Sequence, residues 1–215
     1  MSEGKFSVQK LNTDFKKSLI VTEGADDVVL SAYLSGFEEL YKFLIALGKY
    51  FKFIRSIFAW VASDVKAKID VLHTARKKMP KEYETLSTAI SHEKPPRGDK
   101  SGPLRNLLRL HRALEYIIAF LKAVVELESD TTPCAPVSQE AYNKTLAKYH
   151  PWVMQKAALL AMKMLPHRGG LFEVIGSNHS RETVKDELNE AIEKMDEAYR
   201  RMQDSFGKCE MLSLP

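Results

Sequence analysis

The stretch LRNLLRLHRALEYI, residues 104–117, predicts a long helix with an unusual face. Arg105, Arg109 and Arg112 stand at i, i+4 and i+7, so a helix places them on one side. The obvious solvent stripe, which starts at Glu115, lies roughly 80° away around the helix. The arginine line continues through bulky and small apolar residues, namely Tyr116, Phe120 and Ala123. A face that is cationic and then apolar suits an amphiphile with an anionic head and an apolar tail.

Helical periodicity covers most of the chain. Besides 103–128, helical patterns span 6–20, 27–47, 49–77, 81–92, 138–165 and 180–206, with a short turn near 170–175. Pro151 is expected to kink or split the helix predicted for 138–165. No stretch alternates for long enough to predict a strand, and no segment repeats. We therefore predict an all-α protein with a single domain over residues 1–215.

The composition is that of an ordinary globular protein, with 215 residues of which 45% are apolar and 28% charged. The net charge of +4 is too small to require nucleic acid, although it favours contact with an anionic membrane surface. The two cysteines form no metal-binding or disulfide pattern, and the polar N-terminus is no secretory signal. Lysine and arginine interrupt the most apolar region, 37–62, so it is not a membrane span. We expect a cytoplasmic protein with no metal and no cofactor.

Polar residues also interrupt the apolar faces of two other predicted helices. Asp64 and Lys68 fall on the face of the 49–77 helix that carries Val61 and Leu72. In the 138–165 helix, His150 falls on the face of Leu146, Met154, Ala157 and Ala161. Burying an unpaired charge costs several kcal/mol, so such residues must pair or bind something.

Each of these features also has a simpler explanation. An acid and a base at i and i+4, such as Asp64 and Lys68, are common on helices. His150 alone could be a core histidine, and the arginine line could be a solvated face or a patch for an acidic protein. Trp60 and Trp152 could be ordinary packing residues. The combination is more specific than any single member.

Three segments resemble the glycolipid transfer protein superfamily, and most closely its ceramide-1-phosphate transfer branch. They are ASDVKAKI (62–69), RNLLRLHRALEYI (105–117) and YNKTLAKYHPWVMQKAALLAMKMLP (142–166), and the C-terminal MLSLP is similar too. The resemblance implies a two-layer, all-α sandwich of about eight helices around a lipid pocket. It also implies a protein that moves a sphingolipid between membranes without catalysis.

The resemblance implies a role for each polar residue. Asp64 matches the aspartate that accepts a hydrogen bond from the ceramide amide N–H, and His150 matches the histidine that contacts the amide carbonyl. Lys68, Arg105 and Arg109 match the cations that hold the phosphate. In the glycolipid-specific branch, asparagine and tryptophan occupy the positions of Lys68 and Arg109. The two cations in this chain therefore argue against a sugar headgroup.

Two further matches concern support and membrane contact. Arg112 matches a family residue and is expected to support Asp64, whereas Trp152 matches a tryptophan near the membrane-contacting face. Between Gly48 and Asp64 the chain is about two helical turns longer than the family pattern. This segment adds aromatic residues, including Trp60, beside lysine and arginine, a mixture that suits a membrane interface.

We expect a monomer that binds ceramide-1-phosphate, touches intracellular membranes transiently and binds no nucleic acid. One alternative is the transfer of a neutral glycosphingolipid, which Lys68 and Arg109 disfavour. Another is a helical adaptor that binds an acidic protein through an exposed arginine face and has no lipid-sized cavity. An enzyme is least supported, because the sequence shows no nucleophile–base motif, HExxH, P-loop or paired carboxylates.

Overall fold

The computed structural model describes residues 5–19, 26–50, 55–93, 102–176 and 179–214. Within these ranges the chain forms nine α-helices, two short 3-10 turns and no strand beyond two isolated bridges. The all-α helical sandwich predicted from the sequence is thereby confirmed. The helices are α1 (Val8–Ser18), α2 (Leu30–Tyr50), α3 (Arg55–Lys78), α4 (Leu86–Glu93), α5 (Pro103–Val125), α6 (Ala135–Lys144), α7 (Trp152–Met162), α8 (Arg168–Gly176) and α9 (Arg181–Lys208).

The central helix is α5, which packs against α3, α6 and α9. It begins at Pro103, where a fixed φ and a missing N–H suit the first helical position. Apolar side chains along α5 are buried on several sides of the helix, including Leu104, Leu107, Leu108, Leu110 and Leu114. A polar side chain on this helix is therefore withdrawn from water unless it lies at an opening.

A second set of contacts joins α2 to α1, α3 and α8, and α1 to α9. The helices α1 and α2 approach closely at Gly36, because a Cβ atom there would lie 2.6 Å from Cε2 of Phe15. The apolar line of α9 (Val184, Leu188, Ile192, Met195) is buried. Both α3 and α6 pack against α5, the helix that carries the arginine line.

Pro151 splits the helix predicted for 138–165. The helix α6 ends at Lys144, a 3-10 turn covers Ala147–Tyr149, and α7 begins at Trp152. His150 has an extended backbone (φ −105°, ψ 138°), as is usual before a proline, whose ring disfavours the helical conformation of the preceding residue. The placement of His150 on a helix face with Met154 is therefore wrong, because His150 lies in a junction.

The segment predicted as a turn near 170–175 instead forms the helix α8. Asp130 links its start to α9, because Arg168 NH1 and Arg181 Nε donate to the two oxygens of this carboxylate over 2.5 and 2.7 Å. Arg181 also donates to Glu173 within α8 over 2.6 Å. Because the helix is short, its stability is expected to depend on such long-range contacts more than on its own periodicity.

Some predictions fall partly outside the described residues. They concern the N-terminal residues 1–4, the added aromatic segment at 51–54 and most of the loop predicted for 94–103. Across the described helices, none is long and apolar enough to cross a membrane.

Candidate functional site

Asp64 and Lys68 form an ion pair on α3, with 2.5 Å between Asp64 Oδ2 and Lys68 Nζ. The side chain of Lys68 is only 15% exposed, whereas that of Asp64 is 58% exposed. The buried face of α3 includes Ile69 and Leu72. Asp64 lies on the adjacent line of residues around the helix and is not buried. The prediction that Asp64 lies within the buried apolar face is therefore wrong. Asp64 stands at the open edge of that face and is accessible to a ligand.

The three arginines of α5 differ in burial along one line. Arg105 and Arg112 are buried, and Arg109 between them is half-buried. Burying a guanidinium is costly, and the fold nevertheless holds two permanent positive charges away from water next to a third that is partly exposed. The arginines of α5 therefore do not form the exposed face that an adaptor for an acidic protein requires.

Arg112 contacts the C-terminal segment and the turn before His150. Its NH2 donates to the carbonyl oxygens of Leu212, over 3.0 Å, and Leu214. Its guanidinium lies over the ring of Tyr149, 4.0 Å from the centroid. The sequence predicted a supporting role towards Asp64, but the contacts described for Arg112 are to the chain end and to Tyr149. Arg112 therefore anchors the segment that carries His150.

His150 belongs to no helix and is held by two neighbours, Tyr142 and Gln155. Its Nδ1 lies 2.7 Å from the hydroxyl of Tyr142 on α6. The side-chain amide of Gln155 donates to the carbonyls of His150 and Ala147 over 2.9 and 3.0 Å. These contacts fix both the backbone and the ring of His150.

His150 is electrostatically coupled to the α3 ion pair. Burial lowers the pKa of His150, while the negative charge of Asp64 raises it and the positive charge of Lys68 lowers it further. The net effect keeps the imidazole neutral near pH 7, with one nitrogen that donates and one that accepts. A neutral imidazole thus lies within electrostatic range of a carboxylate and an ammonium group that pair with each other.

Tyr149 and His150 join the two halves of the site. His150 interacts electrostatically with Asp64 and Lys68. Its neighbour Tyr149 stacks on Arg112, which belongs to the α5 arginine line. Arg109 stands one helical turn before Arg112, and its charge contributes to the lowered pKa of Arg112, which burial dominates. The described interactions therefore connect the α5 arginine line to the junction through Arg112 and Tyr149, and the junction to α3 through the electrostatic coupling of His150.

The two predicted membrane residues are both strongly exposed, Trp60 by 60% and Trp152 by 69%. Trp60 stands one turn before Asp64 on α3, and Trp152 begins α7 just after His150. Their exposure excludes the simpler explanation that they are packing residues. The outward face of α7 is also largely apolar, with exposed Val153, Leu160 and, just beyond its end, Met164.

Sequence reasoning did not find Tyr142 or Tyr149. Tyr142 is buried and lies eight residues before His150 in the sequence. That spacing predicts no contact, because the two residues meet only once α6 and the junction have folded. Within the described part of the chain, no group of three or more histidine, cysteine, aspartate or glutamate side chains is placed to hold a metal ion.

The sequence pattern of the family described as "Glycolipid transfer protein (GLTP)" matches residues 28–177, which include the whole constellation from Asp64 to Trp152. The chain belongs to the glycolipid transfer protein family. The family consists of carriers that move lipid without changing it chemically. The resemblance stated from the sequence is thus confirmed, and the site lies inside the family's characteristic region.

Ceramide-1-phosphate transfer proteins of other organisms match this chain over nearly its full length. It is 30% identical over 223 residues to a ceramide-1-phosphate transfer protein of Xenopus laevis, with 100% of this chain and 99% of that protein covered. The apo crystal structure of mouse ceramide-1-phosphate transfer protein superposes with a TM-score of 0.85 at 29% identity, covering 98% of this chain and 100% of that one. The human protein in complex with 12:0 ceramide-1-phosphate gives 0.85 at 26% identity over the same shares.

Proposed function

We propose that this chain transfers ceramide-1-phosphate between membranes as a cytoplasmic, monomeric, single-domain carrier. The observation that supports the proposal is the electrostatic coupling of His150 to the Asp64 and Lys68 ion pair. The neighbouring Tyr149 stacks on Arg112 of the α5 arginine line. Such an arrangement offers charge for a phosphate and one acceptor and one donor for an amide. The full-length similarity to proteins named for this lipid supports the same ligand.

Lys68, Arg105 and Arg109 are the proposed phosphate-binding residues. A phosphate monoester carries about −1.5 to −2 charges near neutral pH, so it requires more than one cation. Arginine can bind two phosphate oxygens at once, and a half-buried arginine does so in a medium where charge interactions are strong. Arg109 is half-buried and one turn from Arg105, which lies deeper. The pair therefore suits a ligand that enters from the side of Arg109.

Asp64 and His150 are the proposed partners of the ceramide amide. The carboxylate of Asp64 accepts from the amide N–H, and the neutral imidazole of His150 donates to the amide carbonyl. Both groups are supplied by separate segments, α3 and the junction before α7. The proposed amide contacts therefore bridge α3 and the junction. These two segments are also coupled electrostatically, through Asp64, Lys68 and His150.

The acyl chains set the energetic requirement for transfer. At about 0.8 kcal/mol per buried CH₂ group, a 16-carbon chain in water costs on the order of 12 kcal/mol. A carrier must therefore replace the bilayer with its own apolar side chains. The apolar residues of α5, α6 and α7 are the proposed source of this chamber.

Vesicle-to-vesicle transfer of labelled ceramide-1-phosphate, with glucosylceramide and phosphatidic acid as competitors, tests the proposal. We expect the protein to move ceramide-1-phosphate, with little competition from either other lipid. Competition by phosphatidic acid alone would mean that the phosphate is recognised without the amide. Transfer of the sugar lipid instead would favour the glycosphingolipid alternative. Transfer of no lipid would favour the adaptor.

The outward face of α7, together with Trp60, is the proposed membrane-contacting surface. Exposed lysines accompany its apolar side chains, with Lys156 Nζ 5.9 Å from the ring of Trp152 and Lys148 Nζ 5.0 Å from that of Tyr149. Aromatic and apolar groups insert into the headgroup region, while lysines are attracted to anionic lipids. The contact is expected to be transient and peripheral, at intracellular membranes.

Replacing Trp152 with alanine is expected to weaken binding to anionic vesicles about tenfold, which corresponds to about 1.4 kcal/mol. The physical reason is the loss of an exposed aromatic group next to Lys156. Trp60→Ala is expected to act in the same direction. Vesicle sedimentation measures both effects. Binding of a short-chain ceramide-1-phosphate in solution serves as the control, and a matching drop there would assign the tryptophans to the lipid site instead.

A further inference from the structure

Tyr142 contacts both His150 and the buried interior of the protein. Its side chain is buried, and its ring packs edge-on against that of Tyr116, with 6.1 Å between centroids and 89° between planes. The hydroxyl of Tyr116 is itself bonded to the buried Ser138 over 2.8 Å. A ring fixed by this packing has little freedom, so its hydroxyl is delivered to one place, 2.7 Å from His150 Nδ1.

The direction of the Tyr142 hydrogen bond follows from the donors and acceptors present. Burial raises the pKa of Tyr142 above its usual value of 10, so the hydroxyl keeps its hydrogen at neutral pH. His150 is neutral under the same conditions, because burial lowers its pKa. One ring nitrogen of a neutral imidazole is an acceptor. If His150 Nδ1 carried the hydrogen, the phenol hydrogen would need a second acceptor, and the hydrogen bonds described for Tyr142 offer none.

We propose that Tyr142 is a positioning residue that donates to His150 Nδ1 and thereby fixes the tautomer with hydrogen on Nε2. The inference rests on the proposed function, because it gives that Nε2–H a partner in the amide carbonyl of a sphingolipid. A carbonyl oxygen only accepts hydrogen bonds, so the other tautomer would present a lone pair to a lone pair. Tyr142 thus selects for a hydrogen-bond acceptor, such as an amide carbonyl, at this position of the ligand.

The backbone contacts of His150 complete the argument for a positioning role. The side-chain amide of Gln155 holds the carbonyl oxygens of Ala147 and His150 in place, so the imidazole ring can reorient only by side-chain rotation. That rotation is what the Tyr142 hydroxyl prevents. Removing the hydroxyl leaves the ring volume and the contact with Tyr116 in place, so the effect on binding isolates the hydrogen bond.

The test compares Tyr142→Phe with Tyr116→Phe in the full chain. Each variant removes one hydrogen-bonded phenol hydroxyl from the same ring pair, but only the hydroxyl of Tyr142 bonds to His150. Two-bond ¹H–¹⁵N correlation spectra report which ring nitrogen of His150 carries hydrogen. We expect hydrogen on Nε2 in the unmodified protein and in Tyr116→Phe, and a mixture of tautomers in Tyr142→Phe. Hydrogen on Nδ1 in the unmodified protein, or an unchanged tautomer in Tyr142→Phe, would overturn the proposal.

Binding of short-chain ceramide-1-phosphate supplies the second measurement. We expect Tyr142→Phe to weaken binding about 3- to 10-fold, as for the loss of one hydrogen bond, and to have no further effect when His150 is already alanine. An equal loss with and without the imidazole would show a merely structural role and overturn the proposal. If the unmodified protein binds no ceramide-1-phosphate, the proposed function fails, whereas the spectra still decide whether Tyr142 fixes the tautomer.

Discussion

Replacing Arg109 with alanine is expected to reduce the rate of ceramide-1-phosphate transfer about 100-fold, while the protein stays folded. Arg109 is the half-buried member of the α5 line and is the proposed bidentate phosphate ligand. Losing a hydrogen-bonded charge partner costs about 2–3 kcal/mol, and each 1.4 kcal/mol corresponds to a factor of ten in binding. The same substitution removes no buried apolar group, so the temperature of unfolding should change little. Transfer assays and thermal unfolding measure the two quantities.

Lys68→Ala is expected to reduce transfer in the same way, since Lys68 contributes charge from α3 to the same proposed site. Its removal leaves Asp64 without its ion-pair partner, but Asp64 is exposed, so the cost in stability is small. Lys122→Ala provides a matched control, because it removes a cation from α5 that pairs with Asp196 at the surface. If transfer is normal in both Arg109→Ala and Lys68→Ala, the proposed phosphate site is wrong.

Acidification from pH 6.5 to pH 4 is expected to lower the free energy of unfolding by about 3 kcal/mol through His111 alone. His111 is buried, its Nε2 donates to Gln203 over 2.7 Å, and its ring stacks on Tyr199 at 4.5 Å. Burial lowers its pKa from 6.5 to about 4; the bond to Gln203 opposes this shift and the charge of Arg112 adds to it. Between these two pH values the unfolded chain binds a proton that the folded chain does not. The contribution is therefore complete above pH 6.5 and is lost as the pH falls to about 4.

Urea unfolding across this pH range measures the effect, with His111→Gln as the comparison. Glutamine keeps a neutral polar side chain of similar length but does not titrate. We expect the free energy of unfolding of the variant to fall less steeply with acidification, since His150 and the carboxyl groups still titrate in both proteins. Parallel curves for the two proteins would contradict the assignment to His111.

The helices and most of the candidate site residues could be predicted from the sequence because both depend on local spacing. The arginines at i, i+4 and i+7 share a face in any helix, and Pro103 marks where that helix begins. The split at Pro151 is equally local, since a proline removes a donor and constrains the residue before it. The resemblance of three segments to one family then connected residues that the periodicity alone could not relate.

The errors occurred where distant segments decide the outcome. Projecting α3 placed Asp64 in the buried face, but the neighbours of α3 in the fold cover a line one position away. Projecting 138–165 as one helix gave His150 the wrong neighbours. Residues 170–175 form a helix next to long-range contacts, since Asp130 binds Arg168 and Arg181, which lie 38 and 51 positions later in the chain.

The sequence by itself determined the helical architecture, the cationic line of α5 and the family to which the chain belongs, because each is encoded in short-range spacing and residue type. Only the tertiary structure decided which charges are buried, that Arg112 meets a chain end 100 residues away, and that Tyr142 meets His150. The physical reason is that helix faces follow from 3.6 residues per turn. Burial and hydrogen-bond partners instead depend on which faces meet when the helices pack.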